Sequence, residues 1–304
     1  MGIGKYIKEI GRGKDGARAL TREQSADLFG QVLDQSVTDL EIGAFCLAMR
    51  IKGETAQEMA GFLDATESRL CKVPTASEPA VVLPSYNGAR KLPVLTPLLA
   101  LLLARQGLRV VLHGMPTESM RVSTQDVLSA LGIAAQTAIR TVPPGTVEFV
   151  PTGLLCPGLA RLLDVRRVVG LRNPAHSLVK LMNPCDGPVL LVGSYTHPEY
   201  AASMGATFEL RRSTALLLRG TEGEPVADPR RMPAMDAFID GAPFRVQAPQ
   251  DGALTDVPGL PAPDAHSTAA WIKAVLEGRE PLPAPIAAQV AHIVRLSNPI
   301  RTTA

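Results

Sequence analysis

The stretch that most constrains this chain is a strand, helix, strand run beginning at Ala80. Ala80–Leu83 is a short apolar segment, Leu95–Arg105 an apolar helix, and Arg109–Leu112 a second short apolar segment. Together they make a βαβ unit of roughly thirty residues, the mark of a parallel sheet. Before Pro74 the pattern differs. Thr21-x-x-Gln24, Thr38-x-x-Glu41 and Thr55-x-x-Glu58 each fit a capping box, in which two side chains satisfy two orphan backbone amides. Each precedes apolar residues at helical spacing: Leu28, Phe29, Val32 and Leu33, then Ile42, Phe45 and Met49, then Met59, Phe62, Leu63 and Leu70. The chain is therefore predicted to hold a small all-helical domain over 1–74 and an α/β domain with a mainly parallel central sheet over 75–304. Some later helices are allowed to pack back on the first domain.

Farther on, Ser123-x-x-Asp126 caps a helix to Leu131. Strands are predicted at Val147–Val150, Val168–Leu171, Val189–Gly193 and Ala215–Arg219, with helices near 157–163, 175–182 and 197–205. The Pro-, Asp- and Gly-rich stretch 228–264 reads as loops with one or two strands, and two helices, about 266–278 and 284–296, close the chain.

Composition narrows the functional classes. Aromatic residues make up only 4%, which argues against a surface of many stacked bases or sugars. The net charge of +2 conceals segregation. Arg161, Arg166, Arg167, Arg172 and Lys180 face one acid, Asp164, within 161–180, whereas 232–268 carries five aspartates and a single arginine. A near-neutral total with such segregation is compatible with a positive face. Cys46, Cys71, Cys156 and Cys185 form no paired motif, so free thiols are expected and zinc is not. The apolar stretch Val94–Ala104 is too short to span a bilayer, so a cytoplasmic protein with no membrane partner is expected.

Ligands of parallel α/β sheets meet loops at the carboxyl ends of strands. Three such loops are polar: Ser85–Lys91, His113–Glu118 and Arg219–Glu224. The segments SYNGARKLPVLTPLLA, VLHGM followed by STQDVLSALG, HSLVKLMNP and ALLLRGTEGEPVADPRR occur in an order that resembles anthranilate phosphoribosyltransferase, and more closely the related YbiB family. The resemblance spans essentially the whole chain. It implies a nucleoside phosphorylase/phosphoribosyltransferase-like fold that forms a homodimer through its helical domain.

Departures from the transferase pattern bear on function. The first loop of the enzymes reads Gly-Thr-Gly-Gly-Asp and wraps a diphosphate with bare backbone. Here it reads Ser85-Tyr86-Asn87-Gly88-Ala89-Arg90. In the enzymes' Lys-His-Gly-Asn loop only His113 and Gly114 survive, with Leu112 and Met115 at the outer positions. The tandem Asp-Glu for magnesium is replaced by the separated Glu222 and Glu224. The resemblance to YbiB implies instead a binder of single-stranded DNA or RNA without strong sequence preference. Candidate nucleic-acid or phosphate contacts are Tyr86 (as a stacking platform), Asn87, Arg90, Lys91, His113, Arg121, Arg172, His176, Lys180, Arg211, Arg212 and Arg219. His176 and Lys180, at i and i+4, are predicted to share a helix face. No catalytic residue, metal or other cofactor is expected. The alternative is a phosphoribosyltransferase acting on an unknown acceptor with magnesium.

Several of these residues also have structural readings. Arg166 and Arg167 read as a solvated pair, His113 as a hydrogen-bonded structural remnant of an older site, and Glu222 and Glu224 as turn residues pairing with Arg219, Arg230 or Arg231. Lys5, Lys8 and Arg12 form a basic stripe at helical spacing, which reads first as a solvated face.

Overall fold

The computed structural model describes residues 2–13, 15–76, 78–257 and 259–302. Four helices open the chain: α1 (Gly4–Ile10), α2 (Arg22–Leu33), α3 (Asp39–Lys52) and α4 (Ala56–Glu67). All three expected capping boxes are formed, at Thr21, Thr38 and Thr55. One phenylalanine from each capped helix meets the other two. Phe29 stacks on Phe62 at 4.7 Å, and Phe45 meets Phe29 and Phe62 edge-on at 6.2 and 6.0 Å. Glu58 is more than a cap. Fully buried, it also accepts from Lys52 Nζ at 2.6 Å and Leu20 N at 3.0 Å, tying α3 to α4 and to the approach to α2. The first helix, α1, showed itself in the sequence only as the basic stripe. Its other side buries Tyr6 and Ile10.

The remaining elements are β1 (Ala80–Ser85), α5 (Thr96–Arg105), β2 (Arg109–Gly114), α6 (Thr124–Ala130), β3 (Val147–Pro151), α7 (Thr152–Leu155), α8 (Pro157–Val169), α9 (Ala175–Leu178), β4 (Val189–Tyr195), α10 (Pro198–Leu210), β5 (Ala215–Arg219), β6 (Met235–Ile239), β7 (Ala242–Gln247), α11 (Ala265–Leu276) and α12 (Ala284–Thr302). The sheet runs β3-β2-β1-β4-β5-β6-β7, parallel through β5 and then antiparallel. Strand residues alternate between two cores. Val82, Val111, Leu191 and Leu217 pack with the opening helices, α8 and α10, whereas Val81, Val110, Leu190 and Leu216 pack with α5, α11 and α12. Burial on both faces explains why these strands read as unbroken apolar runs. Later helices do return to the opening bundle: α8 lies against α2, and α10 against α4.

Two expectations are corrected. Val168–Leu171 is not a strand. Val168 and Val169 end α8, Gly170 terminates it in the left-handed conformation (φ 76°), and Val168 is 89% exposed. Two adjacent valines mimic a strand start, but an exposed position at a helix end tolerates them. The helix expected over 175–182 is shorter: α9 ends at Leu178, so Lys180 lies beyond it rather than on one helix with His176. All four cysteines are free thiols, and burial pushes Cys46 and Cys185 up to about 12. Among the described residues, no helix is long and apolar enough to cross a membrane.

Candidate functional site

The chain builds outward from β1 through β2 to β3, then crosses to β4 and continues to β5. The order therefore reverses between β1 and β4, and a crevice opens beyond their carboxyl ends. The loops after β1, β2, β4 and β5 all meet there.

The loop after β1 still behaves as an anion cradle, but its occupant is the protein itself. Glu224, 1% exposed, accepts from Asn87 N at 2.9 Å and Gly88 N at 2.8 Å through Oε1. Its Oε2 takes Thr96 Oγ1 and Thr124 Oγ1, each at 3.2 Å, and the Ser85 hydroxyl. Glu222 fills a second cradle, accepting from Lys91 N at 2.8 Å, Leu92 N at 3.0 Å and Arg90 N at 3.3 Å. The backbone geometry enforces this arrangement. Asn87 Nδ2 donates to Glu222 O at 2.9 Å, and a Cβ on Gly223 (φ +91°) would lie 1.8 Å from that nitrogen. Glu222 and Glu224 thus serve as ligands of the first loop, not as partners of Arg219, Arg230 or Arg231. Phosphate contact in this loop was expected from side chains; its amides are the groups that hold anions. Among the described residues, no cluster of three or more acidic, His or Cys side chains is placed to hold a metal.

Tyr86 is unavailable as a stacking platform. Its ring is buried, and its hydroxyl bridges His113 Nδ1 at 2.7 Å and Thr152 Oγ1 at 3.0 Å. Burial pushes the Tyr86 hydroxyl up and pulls His113 down to about 3. His113 is therefore a neutral, internal residue. His176 is also held at about 3, by burial and then by Arg172. Each imidazole is neutral when folded and takes a proton near 6.5 when unfolded. Protonation thus favours the unfolded chain, and stability falls as pH drops from about 6.5 towards 3. The expected loss is about 1.4 kcal/mol per pH unit for each imidazole within that window. Urea midpoints measured across this range should show a shallower fall for His113→Gln than for wild type; identical slopes would refute the assignment.

The candidate cations divide into two groups. Glu118 gathers three arginines: Arg166 Nη1 at 2.8 Å, Arg172 Nη2 at 3.1 Å and Arg121 Nε at 3.3 Å. Burial pushes the Glu118 carboxyl up, but Arg166, Arg172 and Arg121 outweigh it and hold it at about 2. Arg121 also reaches Glu222 at 3.4 Å and Gly88 O at 3.2 Å, joining this cluster to the first loop. Arg90 and Lys91 are exposed beside it, and their side chains form no ion pair among the described residues. Arg166, read from sequence as merely solvated, is a full member. Arg167 flanks it, paired with Asp164 at 3.0 Å.

Arg211 and Arg212 do not join them. They precede β5, at the amino-terminal end of the parallel strands, opposite the carboxyl-end loops. Arg211 holds Asp64 and Glu67 of α4, each at 2.6 Å, and Arg212 pairs with Asp240. Arg219 is exposed where β5 ends, in register with Tyr195.

Lys180 is buried and donates to Gly223 O at 2.9 Å and Ser194 O at 3.2 Å; burial lowers it to about 8, against the pull of Glu224. It lines a cleft of about 540 Å³ between the opening helices and the sheet, together with Arg172, His176, Tyr195 and Tyr200. His176 and Lys180 therefore do share a surface, through the fold rather than through one helix.

Residues 5–68 match the helical bundle domain of the glycosyl transferase family. The chain is 41% identical to YbiB of Escherichia coli over 96% of its own length and 93% of that protein. It is 29% identical to the anthranilate phosphoribosyltransferase of Salinispora arenicola, over 81% of this chain and 70% of the relative. Among solved structures, the Thermus thermophilus anthranilate phosphoribosyltransferase superposes with a TM-score of 0.74 at 21% identity, covering 98% of this chain and 89% of that one. The Saccharomyces cerevisiae enzyme in complex with phosphoribosyl pyrophosphate and magnesium gives 0.70 at 14% identity, covering 99% and 89%.

Proposed function

Because the chain belongs to the YbiB family, an anthranilate phosphoribosyltransferase-like branch of the family 3 glycosyl transferases, we propose that it uses this fold as a non-catalytic binder of single-stranded DNA or RNA. The carrying observation is the exchange of charge at the crevice. Two carboxylates fill the amide cradles that a diphosphate would need, so a diphosphate must displace Glu222 and Glu224 before it can bind. Beside them Arg90, Lys91, Arg121, Arg166, Arg167 and Arg172 face the compensating acids Glu118, Asp164 and Glu222. A surplus of basic groups gathered around Glu118 and the first loop suits a chain of phosphates, each neutralised singly and without reference to sequence.

The test is fluorescence anisotropy with a labelled single-stranded oligonucleotide at low salt. The Arg90→Ala/Lys91→Ala/Arg166→Ala variant is expected to bind at least tenfold more weakly, whereas Arg212→Ala binds as wild type does. Equal loss from Arg212→Ala would move the interface elsewhere. Release of pyrophosphate from phosphoribosyl pyrophosphate and magnesium with any aromatic amine would overturn the non-catalytic part and favour a transferase.

The same reading includes a homodimer. Leu40, Leu47 and Ile51 are 84, 48 and 60% exposed on α3. They fall within about 40° of one another around the helix, forming one apolar strip. A second copy covering this strip accounts for it. Light scattering should report a dimer for wild type and a monomer for Leu47→Glu/Ile51→Glu; a monomeric wild type at micromolar concentration would exclude it.

A further inference from the structure

We propose that the cleft between the opening helices and the sheet takes one unstacked nucleobase, and that the bound strand supplies it. The inference rests on the nucleic-acid reading above and adds a specific subsite to it.

Aromatic surface is scarce, so its placement is informative. Of the four tyrosines, Tyr6 and Tyr86 are buried and hydrogen-bonded to Asp27 and His113. The two that reach solvent, Tyr195 and Tyr200, both line this cleft, and His197 sits beside Tyr200 with ring centroids 6.4 Å apart. Such a chain cannot stack a run of bases, but it can stack one. The cleft, at about 540 Å³, lies within the range of small-ligand pockets.

Its polar groups suit the edge of a heteroaromatic base rather than a simple anion. His176 is 9% exposed, and its Nε2 is buried without a partner, while Nδ1 is engaged 3.3 Å from Asn173. Glu54 contributes a carboxyl that burial raises and that forms no ion pair among the described residues. The Glu54 carboxyl, with the Tyr195 and Tyr200 side chains that line the same cleft, belongs to the donor and acceptor types that read a base edge.

Arg172 connects this cleft to the arginine cluster around Glu118. It lines the cleft, and its guanidinium bonds Glu118 at 3.1 Å, the carboxylate around which Arg121 and Arg166 also gather. A phosphate held by those arginines brings the adjoining base to the mouth of the cleft.

A labelled oligonucleotide carrying 2-aminopurine tests the subsite, with anisotropy and base fluorescence read on the same sample. Wild type is expected to change the 2-aminopurine emission on binding. Tyr200→Ala abolishes that change and weakens binding about tenfold, while Tyr200→Phe keeps both. An abasic residue in place of 2-aminopurine should bind wild type as weakly as the intact strand binds Tyr200→Ala. Tight, salt-sensitive binding with unchanged emission would overturn the base slot and leave nucleic-acid binding standing. Absence of binding at low salt would overturn both. Adenosine monophosphate and uridine monophosphate form the second arm. Displacement of the 2-aminopurine signal by millimolar nucleotide supports the slot. Nucleotide that quenches wild-type but not Tyr200→Ala fluorescence, without displacing the strand, would overturn the strand as the source of the base.

Discussion

Glu224→Ala is expected to lower folding stability by about 3–5 kcal/mol, because it removes one partner from a buried, charge-assisted network. Two backbone amides and the hydroxyls of Ser85, Thr96 and Thr124 converge on that carboxylate, and the buried Lys180 ammonium loses its compensating charge. For a chain of this size the loss corresponds to a fall in Tm of roughly 5–15 °C. The vacated cradle should then accept an external anion. Phosphate at millimolar concentration is expected to raise the Tm of Glu224→Ala well beyond any effect on wild type, since a ligand that binds only the folded form stabilises it. Glu224→Gln, with its shape preserved and its charge removed, should fall between the two. A Glu224→Ala variant as stable as wild type, with no phosphate response, would show that the carboxylate is not the occupant of an anion site.

The second large effect concerns salt. If the six basic side chains of this cluster engage about five phosphates of a single strand, log K falls with log salt at a slope of about −3.5. Between about 50 and 200 mM salt, affinity should then drop roughly 100-fold. Neutralising Arg90, Lys91 and Arg166 should flatten the slope by about 2, a signature that a general loss of stability does not produce. A flat response in wild type would mean that phosphates are not what this cluster recognises.

Much of the fold was legible because its signals are local. A capping box needs residues only three apart, and each hydroxyl and carboxyl or amide at Thr21, Thr38, Thr55 and Ser123 found its expected partner. Apolar runs bounded by turn residues located β1, β2, β4 and β5. The misread segment, Val168–Leu171, failed where local preference is weakest, at a solvent-facing helix end where packing sets no demand. The crevice was legible as a place, since strand ends carry ligand loops whatever the chemistry. Its contents were less so. Arg211 looks like any other arginine in the sequence, yet it bonds Asp64 and Glu67 of α4, at the end of the strands away from the carboxyl-end loops. Arg166 looked like half of a solvated pair and instead joins Arg121 and Arg172 around Glu118.

Residue order alone accounts for the capped bundle, the parallel core and the departure of Ser85–Lys91 from a glycine-rich diphosphate loop. Tertiary structure alone decided that this loop keeps its amide cradles and that Glu222 and Glu224 fill them. The physical reason is separation along the chain. Glu224 lies 137 residues from Asn87, and only the pairing of β1 with β4 and of β4 with β5 brings the two loops together. Periodicity and spacing report what a residue does to its near neighbours. A buried carboxylate answers to the groups that distant strands place around it.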